Sequence, residues 1–538
     1  MAEGKELEEK IDGTKSERSV AEANHQFLML DFAVNEGLLK KEGSDYMVAH
    51  DQIRQSAYSL IPEKERGRWH REIGRLILKS IPENQVDDVL FIAVNQLNRG
   101  EIHLEEEDHR LDLQKLNLRA GKKAMSLAAF SIAASYLKAG LDMFLDNHWE
   151  HHYDLSIELY SLYAEAEYSN CHFQEVGRVA GIVLKAGKSF EDKHRVYATL
   201  IKALGVENRI EDAIEISFCV LSQLGVHCPS PLPDKSIIMN DWMEMKITFE
   251  KKSDTEFLNY KEMTNNNMMA AMKFLHLLIL YTFLSKQEYF PTIIIQMLKL
   301  TLHHGVCKES CVALASCSYL LCEFQDFEGS EHIGSLSTGL LERSKAQEYR
   351  SQVHLCVYGG VYGFKNLKLC VEPLMEGYRV GMQTGDIQHA MFNANCAIKV
   401  GIASGLNLKE LERSIKKFGK EMIEYKQTTV YTQMQPMAWA VSDLIHSTDE
   451  NNMERNSLLK QAVETNSLVV ECDMYIFGAF VAYIYNNYDL AAYLVQKRRE
   501  LEKKMSRKSF LFGLIAFYDG LIFLALAHKS SQFEWTAE

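Results

Sequence analysis

Helix breakers are nearly missing from this chain: eight prolines serve 538 residues, and apolar residues recur at helical spacing for most of the length. A chain this long does not pack round one ordinary core, so it either divides into several domains or lengthens as an array of repeated units. The residue mix favours the array. Hydrophobic residues make up 47% of it, and its many leucines, alanines, lysines and glutamates suit helices. The expected fold class is all-α, with almost no sheet.

The clearest repetition runs through Ala129–Phe144, Tyr153–Tyr168, Phe173–Ala186, Asp192–Leu204 and Ile210–Leu224, helix-period stretches separated by short polar turns. Gly140, Gly187 and Gly225 recur near the ends of alternate stretches, at a spacing close to that of helix hairpins. Small residues such as Ala133 and Ala134 stand beside Tyr136 and Leu137, so neighbouring helices can nest. A hairpin of this kind buries its apolar face only against the next one, which predicts a tetratricopeptide-like helical-hairpin solenoid. Similar stretches run from Asn266 to Ala527. Among them Gly329-Ser330 reads as a turn, with Ser330 capping a helix from Glu331, and Pro373 and Pro436 predict kinks or later helix starts.

Near the N-terminus the pattern differs. Phe27–Gly37 reads as a short helix ended by glycine, Glu42–Asp45 as a turn, and Tyr46-Met47-Val48 as a short strand. His50-Asp51 then opens an amphipathic helix with Ile53, Ala57 and Leu60 on one face, and Pro62 stops it. Helix, ribbon, helix is a winged-helix order. The expected organisation is a disordered leader at 1–20, a remnant winged helix at 21–62, a first helical-repeat segment at 63–227, a linker with a loop at 228–262 round the proline-rich Cys228–Asp234, and a second helical-repeat segment at 263–538.

Charge narrows the partners. The formal net charge of -14 argues against nucleic acid or an anionic membrane, because phosphate binding draws on clustered Lys and Arg. The basic run from Lys497 to Lys508 is diluted by Glu500 and Glu502 and reads as a solvated helix face. Eleven cysteines, scattered and odd in number, read as reduced thiols in a cytoplasmic protein. Phe510–Ala527 approaches the length of a membrane span, but Asp519 near its middle would cost about 2.5–3.5 kcal/mol there. A buried terminal helix is expected, and membrane contact is not.

Candidate chemical sites fail one by one. Gly181 and Gly187-Lys188-Ser189 are separated by five residues where a phosphate loop needs four, and no apolar strand leads in. His303, His304, Cys307, Cys311 and Cys317 could gather round a metal. Cys311 lies on a helix-period apolar run, however, so core thiols are the expectation. His148, His151 and His152 read as surface or interface histidines. No nucleophilic triad, zinc-protease helix or kinase catalytic loop is legible, so no enzyme activity, cofactor or metal is expected. His50 reads as a group that packs or hydrogen-bonds at the strand-to-helix junction.

Three segments carry a family resemblance: HDQIRQSAYSLIP at His50–Pro62, VNQLNRG at Val94–Gly100 and LNLRAGKKA at Leu116–Ala124. They resemble the region behind the ATPase module of STAND-type signalling ATPases. More closely, they resemble large hybrids of a serine/threonine kinase, an origin-recognition-type AAA ATPase, a helical-repeat region and a sensor histidine kinase. Trp149, Leu224–Pro233, Glu376–Ala390 and Phe517–Ala527 agree, so the resemblance covers about residues 25 to 530. It implies that His50 would contact a bound nucleotide diphosphate, with Asp51 orienting it or starting the helix, and Ala49 standing where methionine is usual. The ATPase core is missing from this sequence, so His50 acts only if such a domain is supplied in trans or was lost by truncation. The implied function is a non-catalytic regulatory or scaffold segment that senses signals and binds protein partners. The alternative is a fragment of an active ATP-binding ATPase and kinase hybrid whose catalytic domains lie outside this chain.

Overall fold

A computed structural model describes residues 28–228, 232 and 234–530, apart from 44, 101–106, 251–252, 362–365, 447–451, 465–466 and 504–510. The expected leader at 1–20 lies outside these residues. Two compact units divide the chain, Met1–Asn117 and Leu118–Glu538.

In the first unit, helix α1 (28–35) is followed by the ribbon β1 (Leu39–Glu42) and β2 (Asp45–Val48), then α2 (Asp51–Ser59), α3 (Glu63–Ser80), α4 (Val86–Arg99) and most of α5 (Glu107–Ser126). The strands pair antiparallel with Leu39 opposite Val48 and Glu42 opposite Asp45. The helix, ribbon, helix order is therefore present. The polar strand Leu39–Glu42 gives no apolar signal and was not legible. Asp31 fastens α1 to the ribbon by accepting hydrogen bonds from Lys41 Nζ and Tyr46 Oη, both at 2.8 Å. This part has little core: Leu28, Phe32 and Leu60 are exposed and α2 buries nothing. Burial increases at α3 and α4, where Leu90, Ala93 and Val94 are enclosed. There His70 lies between Tyr58 Oη at 2.9 Å and Gln96 Oε1 at 2.6 Å.

Among its described residues the second unit is built of helices, with one isolated parallel bridge between Glu262 and Val306. It continues with α6 (Phe130–Asp142), the single turn α7 (His148–His151), α8 (Tyr153–Ser169), α9 (Phe173–Ala186), α10 (His194–Val206), α11 (Ile210–Gln223), α12 (Lys235–Glu250) and the short α13 (Asp254–Leu258). Then come α14 (Asn266–Leu284), α15 (Phe290–His304), α16 (Ser310–Glu323), α17 (Phe327–Arg343), α18 (Arg350–Cys356) with a π-turn at Val357–Val361, α19 (Leu367–Thr384) and α20 (Ile387–Ala403). The array closes with α21 (Leu408–Glu424), α22 (Thr428–His446), α23 (Asn452–Glu464), α24 (Leu468–Ile484), α25 (Tyr488–Glu502) and α26 (Phe512–Ser530). Most consecutive long helices pack as stacked hairpins, while α12 lies on α15, α13 on α17 and α22 on α24.

The repeat is written in the turns. Ala128, Cys171, Asn208, Gln325, Lys426 and Asn486 each hold a left-handed φ between two helices. In each case the next residue's N–H reaches back five residues: Ala129 to Ala124 O, His172 to Glu167 O, Arg209 to Leu204 O, Asp326 to Leu321 O, Gln427 to Met422 O and Asn487 to Ala482 O. This 6→1 bond satisfies one of the carbonyls a helix end leaves open. Glycine is the usual residue there, and Gly225, Gly385 and Gly405 supply it between other helices of this unit.

Close helix contact comes from missing side chains. A Cβ on Gly205 of α10 would stand 2.1 Å from the Tyr281 ring of α14, so those helices touch through glycine and aromatic ring. Helix α14 is apolar on nearly every face and is correspondingly buried.

Local signals misled in places. Ser330 does not cap a helix: α17 starts at Phe327, Asp326 accepts from the Gly329 N–H at 3.1 Å, and Ser330 is buried with its Oγ donating to Ser318 O at 2.6 Å. Helices α19 and α22 begin at Leu367 and Thr428 and continue past Pro373 and Pro436, so neither starts after its proline. Helix α12 occupies part of the stretch read as a linker.

The array also meets itself. Lys426 Nζ donates to Cys171 O at 2.8 Å, and the Cys171 thiol donates to Tyr425 O at 3.2 Å. Gly385 sits against Ser169 and Phe130. The turns after α19 and α21 thus dock on the turn after α8.

Candidate functional site

His50 is the N-cap of α2 in extended conformation (φ -146°, ψ 147°); its carbonyl accepts from the Ile53 and Arg54 N–H groups, and its exposed side chain caps nothing. Asp51 is solvated and meets Arg54 at 3.1 Å. The local geometry accounts for the helix start and leaves the imidazole open to solvent.

At Gly187-Lys188-Ser189 the backbone donors are already engaged. The Lys188 N–H donates to Tyr153 Oη at 2.6 Å and the Ser189 N–H to Asp192 Oδ2 at 2.8 Å, while Ser189 Oγ accepts from the Asp192 N–H. A carboxylate occupies the place an incoming phosphate would need.

The histidine and cysteine candidates disperse. His303 Nδ1 meets Lys299 O at 2.7 Å, Cys307 lies beside Ser310, and Cys311 and Cys317 are buried in the core. Burial pushes the Cys307 thiol up to about 12 and the other two higher, keeping them protonated. No group of three or more His, Cys, Asp or Glu able to hold a metal occurs among the described residues. His148 stacks on Phe144 and Tyr160, inside an aromatic cluster with Trp149.

Two features were not legible in sequence. One is a buried polar seam between α10, α14, α18 and α20. Asp386 pairs with His389 at 2.8 Å; burial works to raise its carboxyl, but His389 and Lys202 outweigh that and hold it below its ordinary value. His276 is driven down to about 3, first by burial and then by Lys202. The ring packs edge-on against Tyr349.

The other is a cavity of about 950 Å³ between α8, α10, α14, the 306–309 loop and the end of α17. Six cationic and five carboxylate side chains line it. Arg195 is spanned by Glu158 and Glu165, Lys308 pairs with Glu348 at 2.6 Å, and Glu309 accepts from Tyr349 Oη at 2.6 Å. Lys202, Lys273, Arg343 and Lys345 have no carboxylate within salt-bridge distance among the described residues. Met263, Met269 and Phe274 supply an apolar part of the wall.

Helix α26 was expected to be buried, and one face is. Asp519 receives Arg498 at 2.5 Å and Arg499 at 3.2 Å, beside buried Ile515 and Ile522. The opposite face leaves Phe517 and Leu524 exposed. By length and apolar composition α14 and α26 both reach the threshold for crossing a membrane.

These elements define a helical-hairpin repeat protein. Its sequence is 22% identical over 431 residues to hybrid signal transduction histidine kinase G of Dictyostelium discoideum, a match covering 72% of this chain and 12% of that protein. The chain thus spans about an eighth of that relative's length. A STAND protein with a tetratricopeptide repeat sensor from Pyrococcus horikoshii matches 91% of this chain and 59% of its own at 15% identity, with a TM-score of 0.35. A circular tandem repeat protein matches at a TM-score of 0.13. Superpositions this loose carry no argument about architecture. No family model matches the chain.

Proposed function

We propose that this chain is a non-catalytic helical-repeat segment of a cytoplasmic signalling protein, sensing a signal and docking protein partners. The supporting observation is the 431-residue similarity to a hybrid signal transduction histidine kinase, carried by a stretch that folds as stacked hairpins. Stacked hairpins present extended surfaces suited to protein docking, and differential binding to two states of an attached domain would convert docking into a signal. Purified protein is expected to hydrolyse no ATP above background. Turnover that a point change in this chain abolishes would overturn the reading. Proximity labelling in cells should enrich signalling proteins, and the same neighbours should disappear when exposed hairpin residues are changed.

A second reading draws on the small share of the relative that is matched: a piece of an ATP-binding ATPase and kinase hybrid. There His50 and Asp51 would face a nucleotide diphosphate held by another domain. Changing His50→Ala in a protein containing such a domain should speed release of the diphosphate; an unchanged rate would remove this reading.

A further inference from the structure

In the cavity between α8, α10, α14 and α17, local charge runs against the chain as a whole. The sequence carries a net charge of -14, yet cations outnumber carboxylates on this wall. The local carboxylates are partly spent, with Glu165 on Arg195, Glu348 on Lys308 and Glu309 on the Tyr349 hydroxyl. Among the described residues Lys202, Lys273, Arg343 and Lys345 have no salt-bridge partner, and they come from α10, α14, the end of α17 and the turn after it. Lys345 is also the left-handed residue of the turn after α17 (φ 49°), a position that lysine fills less easily than glycine.

Size and wall chemistry narrow the ligand. About 950 Å³ lies near the top of the range usual for small-molecule sites, roughly 300–1,000 Å³. The wall is mostly helix, whose main-chain donors and acceptors are already paired, so an extended peptide would find few backbone partners; Asn266 and Asn267 are the carboxamides present. Compact anions need no such partners, because side-chain ammonium and guanidinium groups suffice. His194 is part of the same wall, and its buried Nε2 has no hydrogen-bond partner among the described residues. Burial is the main cause that lowers its pKa, with Lys273 adding to it and Glu191 and Asp192 opposing it.

We propose that this cavity binds a compact small-molecule polyanion, a phosphorylated or polycarboxylate metabolite, held by Lys202, Lys273, Arg343 and Lys345. This deepens the sensing part of the proposed function and rests on it only for the biological consequence. Direct binding needs no partner protein, so the two readings fail separately.

Calorimetric titration of the full chain with pyrophosphate and, separately, citrate tests the proposal. At least one is expected to bind, with affinity falling steeply between 50 and 200 mM salt and at least tenfold in the double variant Lys273→Glu/Arg343→Glu. The matched surface reversal Lys460→Glu/Lys497→Glu should bind as the unchanged protein does. Preference for pyrophosphate would indicate a phosphoryl ligand, and preference for citrate a polycarboxylate. If the double variant melts early, Lys345→Gln replaces it, with a loss of about threefold expected. Absence of binding by both anions, or binding indifferent to these changes, would overturn the proposal. So would tighter binding of a hexaglutamate peptide through the same residues.

Discussion

The ammonium of Lys426 donates to the carbonyl oxygen of Cys171 at 2.8 Å, joining two left-handed turn residues 255 positions apart. The Cys171 thiol completes the contact by donating to Tyr425 O, so each turn supplies one donor and one acceptor. An array whose hairpins met only their neighbours would have no such bond.

Breaking this contact should loosen it locally. Lys426 is exposed, so Lys426→Ala is expected to cost about 0.5–1 kcal/mol of global stability. Hydrogen exchange should quicken at residues 168–173 and 424–428 well before the rest of α8 and α22 responds. Unchanged protection at both turns would show that the contact contributes nothing.

The approach of α10 to α14 allows a larger effect. Gly205→Ala would put a methyl inside the Tyr281 ring, which is itself buried and sits in the largest core cluster. Overpacking of this kind costs about 1–3 kcal/mol. Thermal unfolding should fall accordingly, and Tyr281→Leu in the same chain should recover part of the loss. A neutral Gly205→Ala would mean that the two helices separate freely.

In the turns the opposite sign is expected. Ala128 holds φ 54° without a polar side chain to ease it, and left-handed geometry costs a non-glycine residue about 1–2 kcal/mol. Glycine gives back part of that through its freer unfolded chain, so Ala128→Gly should stabilise by about 0.5–1 kcal/mol. Denaturant midpoints for the two proteins decide it.

The same turns explain how much was legible beforehand. Helical period and scarce proline suffice for an all-α hairpin array, because most helices face their neighbours with an apolar stripe. The turn signal was hidden, since Cys171, Gln325 and Lys426 occupy positions where glycine would have announced a helix end. Ser330 misled because a local capping preference lost to a buried bond across helices. Lys399 and Asp473, paired at 2.6 Å and nearly buried, lie 74 residues apart, and nothing in either neighbourhood announces the other. The cavity is likewise assembled from Lys202, Lys273, Arg343 and Lys345, each an ordinary charged residue of an amphipathic helix or turn until the fold brings them to one wall.

That buried Lys399–Asp473 pair should be sensitive to loss of one partner. Asp473→Asn would remove the buried carboxylate that Lys399 donates to, and breaking such pairs costs about 3–5 kcal/mol. The double change Lys399→Met/Asp473→Leu removes both charges and should be far less damaging. If the single and double variants melt together, the pair is not coupled.

Acid stability follows from His276. Its folded-state value is about 3 against an ordinary 6.5, because burial and Lys202 disfavour the charged ring. Below pH 6.5 the unfolded chain binds a proton that the folded chain refuses, so unfolding takes up protons and stability falls as the pH falls. The contribution is fully present above 6.5 and is lost progressively toward 3, at up to about 1.4 kcal/mol per pH unit. His194 and His354, also lowered chiefly by burial, add to the slope in the same direction. His276→Phe keeps a ring against Tyr349 and removes the titration. Its denaturant stability between pH 6.5 and 4 should therefore decline less steeply than that of the unchanged protein, and equal slopes would show that the imidazole is protonated in the folded state.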